Sequence, residues 1–107
     1  MKNPICISTG SVYRLNGDMN KKLEMLRDFQ VDGIELCFAF AKDLIDFQIT
    51  PENLAFLRKG RTTIHAPWKD IVYGDNPHCR QTLNALQEVY DQTGAVLVLS
   101  DLPNLTL

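Results

Sequence analysis

The side chains in this sequence best suited to chemistry stand where short apolar runs end. His65 closes "RTTIH" and is followed at once by Ala66-Pro67-Trp68. An imidazole at a strand exit can ligate a metal or hold a substrate, because the neutral ring presents a lone pair. Glu35, inside "GIELCFAF", offers a carboxylate for acid–base work or substrate binding. Ser8 ends "ICIS" with a hydroxyl, Trp68 has a ring that can stack on a sugar or a base, and Asp101 follows "AVLVLS". Each has a plainer reading. The histidine can be an ordinary hydrogen-bonded residue, Glu35 can pair with Arg14 or Lys69, and Trp68 can cover the end of a core. Asp101 can be a turn residue ahead of Pro103. One imidazole is not a metal site, since zinc takes about four ligands. His78 reads as a solvated residue, because a positive charge is disfavoured in the first turn of a helix.

The elements that must position these residues alternate. β-type runs over 5–9, 33–40, 61–66 and 95–100 are separated by helical patterns. Asp18 is placed as a helix N-cap, with Met19, Leu23, Leu26 and Gln30 at helical spacing and Met25 and Phe29 widening the stripe. A short amphipathic piece covers 42–47. In "ITPENLAFLRKG", Thr50 is the expected cap, Pro51 the first helical residue and Gly60 a left-handed stop. Asn76-Pro77 repeats that start. Cys79, Leu83, Leu86 and Tyr90 form the expected apolar stripe, and Gly94 the end. The order β-α-β-α-β-α-β, in units of roughly thirty residues, predicts a parallel sheet with right-handed crossovers in a single domain over 1–107.

Strand parity separates two architectures. Ile5 and Ile7 share one face, opposite Cys6 and Ser8. Ile34, Leu36 and Phe38 oppose Glu35 and Cys37, and Ile64 opposes Thr63 and His65. A doubly wound sheet is buried on both faces and prefers continuous apolar strands. A barrel places one strand face towards an interior whose mouth can hold polar groups. The pattern favours the barrel, and predicts that Ser8, Glu35 and His65 reach the same end of the sheet.

Composition narrows the classes. At 45% hydrophobic and 22% charged residues, the chain has material for one core. A net charge of −2, with no basic run longer than Lys21-Lys22, gives no broad phosphate-binding face. Cys6, Cys37 and Cys79 show no C-x-x-C spacing and read as small buried thiols, which predicts a reducing, cytoplasmic setting. No signal-peptide pattern and no membrane-length apolar run is present in the sequence, and no glycine-rich phosphate loop follows the first strand.

The segments "DGIEL", "TIHAPW" and "YGDNPHCRQTLNALQEVYDQTGA" resemble the xylose-isomerase-like barrel superfamily, which includes endonuclease IV-type apurinic/apyrimidinic endonucleases and sugar isomerases and epimerases. The likeness covers the whole chain but only the first half of that fold. It implies the N-terminal half of a TIM (β/α)8 barrel, with four strands and about three main helices. It also implies a divalent metal (zinc, manganese or magnesium) at the carboxyl ends of the strands. By that resemblance His65 stands at the place of a metal ligand; by their own strand-end positions Glu35 reads as the catalytic carboxylate and Ser8, Trp68 and Asp101 as substrate-binding residues. Where members often carry a His-Pro pair after the fourth strand, this chain has Ser100-Asp101-Leu102-Pro103.

The resulting expectation is a metal-dependent isomerase or epimerase acting on a small sugar or phosphate substrate, with an endonuclease and DNA less favoured and no membrane association. The chain alone is expected to be weakly active or inactive. It is also expected to form a homo-oligomer or to join a C-terminal half-barrel, because four strands cannot close a barrel of eight. Two further readings belong to other classes: a non-catalytic half-barrel that oligomerises or binds a partner, and an open flavodoxin-like domain binding a small ligand.

Overall fold

The structure is a computed structural model that describes residues 5–12 and 18–99 of the chain. It is an α/β arrangement. Strands β1 (Cys6–Ser8), β2 (Gly33–Cys37), β3 (Arg61–His65) and β4 (Leu97–Leu99) form a sheet in the order β1-β2-β3-β4. Every neighbouring pair is parallel. The helices are α1 (Met19–Leu26), α2 (Ala41–Ile45), α3 (Pro51–Arg58) and α4 (Pro77–Thr93), and a 3₁₀ turn spans Thr9–Val12. Spatial order follows chain order, so the described strands contain no reversal of direction of the kind that makes a doubly wound switch point.

The sheet has two unlike faces because β2 and β3 alternate. Ile34, Leu36, Phe38, Ile64 and Ala66 are buried in one cluster with Leu23 and Leu26 of α1, Leu44 of α2, Leu57 of α3, and Leu86 and Val89 of α4. All four helices therefore bury residues against the same strand face. On the opposite parity Ser8, Glu35, Cys37, Thr63 and His65 each keep partial exposure.

Three helix starts follow their local signals. The side chain of Asp18 accepts from the Lys21 amide, that of Thr50 from the Asn53 amide, and that of Asn76 from the Cys79 amide. Pro51 and Pro77 stand in the first turns that follow. Gly94 closes α4 in the left-handed region, at φ 67°, and its N–H donates to the Tyr90 carbonyl. Arg58 reaches across from α3 and donates Nε and Nη2 to the Gln92 carbonyl at 3.1 and 2.8 Å, satisfying an end carbonyl of α4.

Several expectations need correction. Gly60 is not a left-handed stop, since Gly94 is the glycine with positive φ among the described residues. A Cβ at position 60 would instead lie 2.8 Å from the carbonyl oxygen of Asp32, where the start of β3 passes the start of β2. The apolar stripe of α4 is rotated. Cys79, Thr82, Leu86, Val89 and Thr93 are buried, while Leu83 is half-buried and Tyr90 exposed. Thr82 and Thr93 fit that face because their hydroxyls donate to the carbonyls of His78 and Val89 within the helix. On α1, Leu23 and Leu26 are buried, but Met25 is exposed within the helix, and Phe29 is exposed past its end. The strands are also shorter than their apolar runs; β1 yields Thr9 to the 3₁₀ turn, and β2 ends at Cys37 rather than at Phe40.

Gly60→Ala is expected to destabilise the chain by about 1–3 kcal/mol, the cost of forcing a methyl against fixed backbone. Gly94→Ala, strained only by its positive φ, is expected to cost about 1 kcal/mol. Urea denaturation followed by circular dichroism checks both. Equal, negligible effects would refute the close approach at Gly60.

Candidate functional site

The site is built from the exits of β1, β2 and β3. Register places Ser8 beside Glu35 and Glu35 beside Thr63; two residues later along the strands, Cys37 lies beside His65. Neighbours in register on adjacent strands share a face. The expected gathering of Ser8, Glu35 and His65 at one end of one sheet face is therefore observed.

Glu35 is held by a neighbour the sequence reading did not pair with it. The Ser8 hydroxyl donates to Glu35 Oε1 at 2.8 Å and accepts from the Gly10 N–H at 3.0 Å. The hydroxyl has one proton to give, and the amide below it leaves that proton aimed at the carboxylate. The 3₁₀ turn is fixed on the same end, because the buried Thr9 accepts from the Cys37 N–H through Oγ1 at 2.8 Å. Serine and threonine at the end of β1 thus orient a carboxylate and satisfy a strand-end amide.

His65 is oriented from below. Its Nδ1 lies 2.9 Å from the Ala66 carbonyl oxygen. A carbonyl only accepts, so Nδ1 carries the proton and the lone pair of the neutral ring resides on Nε2. Fixing one ring nitrogen on a backbone carbonyl is the usual way a ligating histidine is held. Trp68 stands edge-on to the imidazole, with centroids 4.8 Å apart and planes at 70°. Trp68 is 37% exposed, so it both packs on His65 and presents ring surface to solvent. Among the described residues no three His, Cys, Asp or Glu side chains gather as a metal cage. Asp101, the remaining candidate, lies outside the described residues.

The loop after β3 is tied to the loop after β2. The Phe38 N–H donates to the His65 carbonyl, and the N–H groups of Trp68 and Lys69 both donate to the Ala39 carbonyl, at 3.1 and 3.0 Å. Tyr73 Oη donates to the Pro67 carbonyl at 2.7 Å. Burial pushes the Tyr73 hydroxyl up to about 12, with the charges of Cys79 and Asp70 adding to it. His78 is exposed but not merely solvated; its Nε2 meets the Asp70 carbonyl at 3.0 Å, so the imidazole donates there.

A cleft of about 840 Å³ opens beside these loops, with Cys37, Phe40, Asp43, Phe47, Trp68 and Lys69 in its wall. Glu35 and His65 do not line it. Sequence reasoning missed this wall, because α2 and the Trp68 loop meet only in the fold. A second cleft, of about 360 Å³, lies at the opposite end of the sheet around Ile5, Phe29, Gly33 and Arg61, and Ser8, Glu35, His65 and Trp68 do not line it.

Fold and site together define an α/β protein with a parallel sheet, helices packed on one sheet face, and oriented polar side chains at the carboxyl ends of its strands. No protein-family model, curated protein or solved structure compared with the chain matches it. No helix among the described residues is long and apolar enough to cross a membrane.

Tyr73→Phe is expected to lose about 1 kcal/mol of stability through the hydrogen bond to Pro67. The folded pKa of Tyr73 is raised above its unfolded value. Its contribution is therefore complete below about pH 10 and lost as pH rises through about 12. Denaturation midpoints measured from pH 8 to 12 should fall more steeply for the wild type than for Tyr73→Phe; parallel curves would remove Tyr73 from the loop's stability.

Proposed function

We propose that this chain forms the N-terminal half of a xylose-isomerase-like (β/α)8 barrel enzyme and contributes one side of a site for a sugar or other small polar substrate. The observation that carries the reading is the one-sided sheet. Its parallel strands run in sequential order, helices pack on the apolar face, and Ser8, Glu35 and His65 share the polar face at the strand exits. In a barrel that polar face becomes the interior and its mouth. An isomerase or epimerase is favoured over an endonuclease IV-type nuclease by the net charge of −2 and by Ser100-Asp101 in place of a His-Pro pair. In this reading Glu35, oriented by Ser8, takes and returns a proton on the substrate, His65 holds substrate or metal through Nε2, and Trp68 and Asp101 contact the sugar.

A divalent metal such as zinc, manganese or magnesium would supply charge stabilisation at a substrate oxygen. The described residues offer it one oriented imidazole and not a full ligand set. The remaining ligands would come from a C-terminal half-barrel or another copy of the chain.

A non-catalytic associating half-barrel is a second reading. It is favoured by the sheet's outer strands, β1 and β4, which each have one strand neighbour among the described residues. The open flavodoxin-like reading fits less well, because the described strand order has no reversal.

Titration of Zn²⁺, Mn²⁺ and Mg²⁺ into the chain, with isomerisation and epimerisation assays on simple aldoses, tests the enzyme reading. Only weak metal binding is expected of a chain with one oriented imidazole, weaker still in His65→Ala, with little or no turnover by the chain alone. Unchanged affinity in His65→Ala would exclude His65 as the ligand. Sedimentation equilibrium at micromolar concentration is expected to show self-association, and a stable monomer would reject the half-barrel readings in favour of a self-contained open sheet.

A further inference from the structure

The start of α2 is capped by a residue from a different loop. Phe40, at the N-cap position, makes no side-chain hydrogen bond to the helix. Asp70, in the loop between β3 and α4, fills the gap. Its Oδ1 accepts from the Ala41 amide and its Oδ2 from the Lys42 amide at 3.1 Å. These are the first two amides of the helix, which have no partner inside it. The Asp70 carbonyl is in turn held by His78 Nε2 of α4, so the capping residue is anchored on its far side.

We propose that Asp70 is an acid-sensitive latch that sets the width of the cleft beside the strand exits. With the carboxylate ionised, the wall carrying Phe40 and Asp43 is held against the wall carrying Trp68 and Lys69. The Lys69 ammonium then lies 5.5 Å from the centre of the Phe40 ring, bridging the two walls. Protonation removes the negative charge from the helix start and one acceptor from the pair, and the α2 part of the wall is released, while the Ala39 carbonyl stays held by the Trp68 and Lys69 N–H groups. The inference stands on the loop geometry and does not depend on the barrel reading.

The titratable neighbours of Asp70 on the elements it meets are Lys42 and Asp43 of α2, Lys69 and Tyr73 of its own loop, and His78 of α4. Burial pushes the Asp70 carboxyl up. The amides of Ala41, Lys42 and Asp70 itself, with His78 nearby, outweigh that effect and hold it below the usual carboxylate value. A folded pKa below the unfolded one means that the latch is fully closed above about pH 4 and opens as pH falls through the lower folded value. A charged His78 attracts the carboxylate, so protonating the imidazole does not open the latch.

Amide NMR on the full chain tests this. In Asp70→Ala at neutral pH, the Ala41 and Lys42 amides are expected to exchange at least ten times faster, with Leu36 and Ile64 unchanged. Fluorescence of Trp68, the single tryptophan, is expected to shift in the same variant. In the wild type, the Ala41 and Lys42 amide shifts should titrate together below the usual aspartate midpoint, and Asp70→Asn should abolish that titration. Unchanged exchange at Ala41 and Lys42 in a folded Asp70→Ala would overturn the latch. So would an acid titration that persists in Asp70→Asn, the decisive comparison if Asp70→Ala also loses protection at Leu36 and Ile64.

Discussion

The alternation of side chains along β2 and β3 is the constraint on which the rest of the molecule depends. A strand sends successive residues to opposite faces, so Leu36 and Ile64 cannot enter the core without sending Glu35, Cys37, Thr63 and His65 the other way. Burial of Leu36 and Ile64, both fully inaccessible, fixes the register, because a slip of one residue would exchange the two faces. A favourable term of about 1.5–3 kcal/mol for each fully buried side chain thus determines where the oriented carboxylate and imidazole lie. The polar face is a consequence of the hydrophobic one.

Short hydrogen-bonded relays contribute to orientation on that face. Gly10 N–H to Ser8 Oγ to Glu35 Oε1 sets one carboxylate, and the Ala66 carbonyl sets the tautomer of His65. Trp68 packs edge-on to the same imidazole. The loops outside behave differently. Asp70 ties the β3 exit to α2 through a charged group.

The buried polar residues follow a related economy. Asn53 is fully buried between α1 and α3, and its Nδ2 donates to the carbonyl oxygen and to Oδ1 of Asn20 at 3.1 and 3.0 Å. Asn20 Oδ1 also accepts from the Thr50 amide, and its Nδ2 donates to the Gln48 carbonyl. The two asparagines join the start of α1 to the start of α3. Asn53 Oδ1 has no partner among the described residues, so the junction gains its specificity at the cost of one unsatisfied acceptor.

The sequence by itself determined what depends on near neighbours. The caps at Asp18, Thr50 and Asn76, the stop at Gly94, the β/α alternation and the two-faced strands are set by residues within a turn of one another, or by the period-two pleat. The gathering of Ser8, Glu35 and His65 followed from that parity. What only the tertiary structure decided involves partners far apart in the chain. Ser8 and Glu35 are 27 residues apart, and Asp70 and Lys42 are 28 apart. Gly60 shows the difference at one residue: a glycine after a helix signals a left-handed turn locally, but here it is needed because Asp32, from the neighbouring strand's start, occupies the space of a Cβ. The same holds for the rotated face of α4, where threonines hydrogen-bonded within the helix go inward and Tyr90 stays out. Local signals specify an element and its ends, and the packing of one element on another selects which of its residues meet.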